Sequence, residues 1–63
     1  MTYKVLTKRP FSVRITVRAF FLPAVEDWVR EADGRWHRPG FFYEPTQEDI
    51  RLLEAIYEKE AKP

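Results

Sequence analysis

Cysteine and asparagine are absent from these 63 residues, histidine and glutamine occur once each, and glycine occurs twice. Each scarcity removes a class of chemistry. Without cysteine there is no disulfide framework, no thiolate nucleophile and no cysteine-ligated zinc. His37 is the only histidine, and no carboxylates stand at the spacing of a cation-binding loop, so no metal or other cofactor is expected. Gly34 and Gly40 are too far apart to make a phosphate-cradling loop. Lacking asparagine, with Gln47 alone, the chain has almost none of the amides that read adenine in pairs. The longest apolar run, Ala19 to Val25 counting Pro23, is seven residues, and no apolar segment follows a basic start. Neither membrane spanning nor secretion is indicated, and a cytoplasmic protein is expected.

What remains is 44% hydrophobic, 16% aromatic and 33% charged, the composition of a globular domain. No repeat or linker divides it, so residues 1–63 are read as one small domain. A chain this short has room for one modest core and little for a separate substrate cavity, and a non-enzymatic role is expected. The near-neutral net charge of +1 hides a gradient. Residues 1–22 carry Lys4, Lys8, Arg9, Arg14 and Arg18 with no acid, while residues 44–63 carry three bases against six acids. Such a charge dipole steers charged partners.

Phe11 to Arg18 alternates apolar and polar residues and is rich in β-branched side chains, which predicts a strand. Tyr3 to Thr7 reads as its partner across a turn at Lys8-Arg9-Pro10. Phe11, Val13, Ile15 and Val17 then share an inner face, and Ser12, Arg14, Thr16 and Arg18 an outer one. Val25, Trp28, Val29 and Ala32, after Pro23 and before Gly34, fit the spacing of one helical face, with Glu26 and Arg30 as an i,i+4 pair. Leu22 offers that helix no capping oxygen. Arg35 to Tyr43 reads as a short strand or a loop. Thr46 reads as the cap of a helix reaching about Ala61, with Ile50, Leu52, Leu53, Ile56 and Tyr57 as its apolar stripe and Glu58 paired with Lys62. The expected fold is α+β in the order ββα(β)α, a hairpin with a short optional third strand packed against two helices.

Catalytic constellations are weak. Ser12, His37 and an aspartate satisfy a triad by count, but Ser12 lies in a plain strand; Glu54 and Glu58 read as a solvated helix face. Two binding surfaces stand out instead. The segment 35–43 holds four aromatics and two arginines, residue types that dominate interface hot spots, so Arg35, Trp36, Arg38, Phe42 and Tyr43 are the candidates for contact with a larger protein or complex. If the segment is extended, Phe41 and Tyr43 share one side and Phe42 takes the other. The alternative is nucleic-acid binding by the basic hairpin through Lys4, Lys8, Arg9, Arg14 and Arg18. Trp28-Val29-Arg30-Glu31, the following Pro/Gly stretch with aromatics, and Glu48-Asp49-Ile50 together resemble the small winged-helix excisionases of phages and mobile elements. The resemblance implies DNA binding. It covers a minor part of the chain, and Phe11 to Phe20 reads as strand where those proteins place a helix. The leading expectation is a protein-binding module, an adaptor or an inhibitor of a larger host complex of the kind phages encode, as a monomer or homodimer.

Overall fold

The computed structural model describes residues 1–61, so the expected Glu58–Lys62 pair lies outside the described residues. Four strands and one helix follow in order: β1 (Thr2–Lys8), β2 (Phe11–Ala19), β3 (Leu22–Arg30), β4 (Trp36–His37) and α1 (Gln47–Glu60). The strands form one antiparallel meander in sequence order, and α1 lies across a single face of it. The two-helix order ββα(β)α is therefore corrected to ββββα.

Residues 23–32, expected as the first helix, lie mostly in the third strand, Leu22–Arg30. Their apolar residues do not alternate: Trp28 falls on the covered face with Arg30, and Val25 and Val29 fall on the other with Asp27. The contest is settled across strands. Val13, which is fully buried, pairs with Trp28, and Arg14 pairs with Asp27, placing an apolar pair on one face and an ion pair on the other. A helix here would leave the β3 side of β2 without a ladder. Leu22 also provides no cap, and Pro23 is tolerated where the strand borders solvent.

β1 and β2 form the expected hairpin, interrupted by a register shift between Val5 and Thr7 and turned through a cis Arg9–Pro10 peptide. Thr46 caps α1 as its sequence position suggests. Its hydroxyl accepts from the Asp49 amide, and the Asp49 carboxylate accepts from the Thr46 amide, each at 3.1 Å. The core is Phe11, Val13, Ile15, Trp28, Trp36, Leu53 and Ile56. The rings of Trp36 and Tyr57 meet Phe11 edge-on, with centroids at 6.0 and 5.2 Å. Polar ties fasten the middle and the C-terminal end of α1. Glu54 accepts from Trp36 Nε1 at 2.6 Å and Arg30 Nε at 3.2 Å, while Glu60 accepts from the Tyr3 hydroxyl at 2.8 Å. Lys8 Nζ donates to the Glu60 carbonyl at 2.6 Å, a cation at the negative end of the helix. Glu54, expected on the solvated face, is thus a joint between helix and sheet.

The β2–β3 hairpin is closed by Phe20 and Phe21 alone. Phe20 has a φ of 58°, in the left-handed region where a Cβ is crowded and glycine is preferred. Phe20→Gly is expected to raise stability by about 1 kcal/mol, the relief of left-handed strain less the added freedom of the unfolded chain. Urea unfolding followed by circular dichroism measures it; a lowered midpoint would contradict the turn geometry.

Candidate binding surface

α1 covers one face of the sheet and leaves the other to solvent. Strand register sets Lys4, Arg14 and Asp27 in one row across that open face, and Thr2, Thr16 and Val25 in the next. Arg14 grips Asp27 with two bonds, Nε to Oδ1 at 2.8 Å and Nη2 to Oδ2 at 3.0 Å. That hydrogen-bonded pairing holds the Asp27 carboxyl below its ordinary range, with a further contribution from the charge of Arg38.

After β4 the chain reverses through Arg38-Pro39-Gly40-Phe41. Pro39 fits the first central position, Gly40 takes a φ of 87° at the second, and the Phe41 amide donates to the Arg38 carbonyl at 3.0 Å. This is the chemistry of a type II turn, in which the second central residue needs positive φ. The reversal brings Phe41 and Tyr43 to the same guanidinium. Arg38 lies 4.0 Å from the Phe41 ring centroid and 5.5 Å from that of Tyr43, and its Nη1 donates to the Tyr43 hydroxyl. The two rings meet edge-on at 6.0 Å. Arg38 also approaches the edge of the core, 6.0 Å from the Trp28 ring. Phe42 points away from this cluster and is fully exposed. An arginine is thereby held in place between two aromatic rings beside an unpacked third.

The sequence candidates divide accordingly. Arg38 and Tyr43 come together at the surface, and Phe42 stands fully exposed beside them in the chain. Trp36 does not join them: it is 5% exposed, inside the core, because β4 pairs through it with Arg30 and turns its ring toward Phe11 and α1. Arg35 lies before β4, where its Nε donates to Asp33 at 2.8 Å and its amide to the same carboxylate at 3.0 Å, closing the β3–β4 turn. That turn borders a cleft of about 500 Å³ lined by Glu31, Asp33, Arg35, Trp36, His37 and Glu44. In it His37 Nδ1 is 2.6 Å from Glu31. Among the described residues no three potential metal ligands converge.

The five hairpin bases are also separated. Lys4, Arg14 and Arg18 share the open face, whereas Lys8 and Arg9 sit at the β1–β2 turn, with Lys8 committed to the end of α1. Arg14 is neutralised by Asp27. The helical reading of residues 23–32 concealed this pairing, and with it the winged-helix resemblance fails, since Trp28-Val29-Arg30 is strand.

Sequence reasoning missed Phe20, Phe21 and Leu22, which project at the hairpin tip at 95%, 93% and 73% exposure. The available signal was two strand-like alternations separated by two residues; it lacked the Asn-Gly or Gly-X pair that marks such turns. No family model, curated protein or solved structure matches this chain. Among the described residues no helix is long and apolar enough to cross a membrane.

Proposed function

We propose that this chain is a non-enzymatic protein-binding module of the adaptor or inhibitor kind, acting in the cytoplasm, that engages a larger protein through Arg38, Phe42 and Tyr43. The carrying observation is the ordered cluster in which Phe41 and Tyr43 hold Arg38 beside a fully exposed Phe42. Arginine and aromatic side chains are the usual anchors of interfaces, and an anchor already fixed in the free protein loses little side-chain freedom on binding. The engaged state of Arg14 and Lys8 weighs against the nucleic-acid reading, because each charge already satisfied within the fold is one fewer for phosphate.

Phe42→Ala tests the reading. The side chain makes no core contact, so the circular-dichroism spectrum and unfolding midpoint are expected to stay unchanged, while capture of a partner from an extract of the source cells falls at least about tenfold. Undiminished capture by the folded variant would overturn the assignment.

A further inference from the structure

We propose that two copies of this chain form a symmetric dimer in which the Phe20–Phe21 tip of each β2–β3 hairpin seats in a cleft beside Val25, Pro39 and Phe41 of the other. The dimer goes beyond the proposed binding surface: Phe42 and Tyr43 do not line that cleft, and Arg38 stands at the border of the two.

Three observations carry it. The first is the tip itself. Phe20, Phe21 and Leu22 are almost bare of contacts, and Phe20 adopts a backbone conformation that disfavours a bulky side chain. Nothing within the described fold uses these side chains, and three adjacent exposed apolar residues mark a site of association.

The second is a receptor of matching chemistry on the same chain. A cleft of about 330 Å³ is lined by Arg14, Val25, Asp27, Arg38, Pro39 and Phe41. Val25, Pro39 and Phe41 give it apolar walls, and the half-exposed guanidinium of Arg14 offers a cation–π partner for an incoming phenyl ring.

The third is the arrangement of the two on one strand. Leu22 starts β3 and Val25 follows three residues on, while β4 pairs only with Val29 and Arg30. The tip half of that edge is therefore unpaired by β4. A two-fold axis beside Pro23, perpendicular to β3, sets the two β3 strands antiparallel and carries Phe20 and Phe21 opposite Glu26 and Val25 of the other copy, next to its cleft. Such an isologous contact closes on itself, and Pro23, which has no amide hydrogen, interrupts any continuous ladder along the edge. Phe20, Phe21 and Leu22 with the half-exposed Val25 and Phe41 bring roughly 600–800 Å² per copy, close to what one partner contributes to a standard interface. The assembly leaves both Phe42 rings outside the clefts, while Arg38 borders the cleft and the binding surface alike.

Sedimentation velocity of the full chain from about 1 to 100 µM is the test, a range spanning micromolar association. The expected species is twice the 7.6 kDa chain. Phe20→Gly combined with Phe21→Ser is expected to weaken the dimer at least about tenfold with an unchanged circular-dichroism spectrum, because glycine suits the positive φ. Val25→Arg, on the cleft side, is expected to do the same independently, and Phe42→Ala to remain dimeric. A chain that stays at 7.6 kDa throughout overturns the proposal, as does a dimer indifferent to both the tip and the cleft changes. Sedimentation of the wild-type chain with phosphatidylglycerol vesicles, abolished by the tip changes, would overturn it in favour of a lipid surface. Loss of the dimer in Phe42→Ala would place the contact elsewhere. Capture of a partner unaffected by Phe42→Ala, with the dimer intact, would sink only the binding-surface reading.

Discussion

Trp36→Ala is expected to leave the protein largely unfolded at room temperature, whereas Phe42→Ala, six residues away, leaves the unfolding midpoint where it was. The two aromatics occupy the same short segment and the same hot-spot vocabulary, so the contrast isolates burial. Trp36 is 5% exposed, meets Phe11 edge-on and donates its indole hydrogen to Glu54. Truncating a buried tryptophan costs about 3–5 kcal/mol through lost contacts and the cavity left behind. A 63-residue domain holds only about 3–9 kcal/mol in total, and this one lacks cysteine with which to compensate. β4 is two residues long, so the ring is also the main anchor of that strand. Urea titration followed by circular dichroism provides the measurement. A Trp36→Ala variant with the wild-type midpoint would refute its place in the core and restore it to the binding surface.

The parts of the fold that were legible from sequence are those whose signals are local. Phe11 to Arg18 alternates cleanly, and Thr46 with Asp49 carries its own capping chemistry, so β2 and α1 follow from neighbours in the chain. β3 was not legible because Val25, Trp28, Val29 and Ala32 fit a helical period, whereas in the strand Val25 and Val29 lie on the face opposite Trp28, and the deciding partners are distant. Val13 for Trp28 and Arg14 for Asp27 lie more than ten residues upstream. The Phe20-Phe21 turn added to the ambiguity, since a hairpin closed without glycine, asparagine or aspartate does not announce itself. The same ambiguity bears on function. Period two correctly gathers Lys4, Arg14 and Arg18 on one face, but only with residues 22–30 extended does Asp27 arrive opposite Arg14 and remove a charge from that face. Exposure of Phe42 follows from its alternation with Phe41 and Tyr43, whereas burial of Trp36 depends on α1 returning over β4.

Glu54→Ala is expected to be the most damaging loss of a single acid on α1, lowering stability by about 1–3 kcal/mol because a buried indole N–H is left without an acceptor. One carboxylate oxygen, Oε2, serves both Trp36 on β4 and Arg30 on β3, so the helix is fastened to two strands through a single atom. Arg30 is held in turn over the Tyr57 ring at 4.1 Å. Removing Glu54 leaves that guanidinium beside the ring without its counter-charge. Glu54→Gln separates the two contributions. An amide oxygen still accepts from Trp36 but carries no charge, so if the hydrogen bond dominates, the glutamine variant unfolds at a urea midpoint clearly above that of alanine. If the Arg30 ion pair dominates, the two variants coincide and the wild-type advantage shrinks in high salt, since both partners are partly exposed, at 24% and 36%. The burial of the Trp36 ring favours the first outcome. Wild-type stability in Glu54→Ala would mean that α1 is held by its apolar stripe alone, with Leu53 and Ile56 sufficient to dock it.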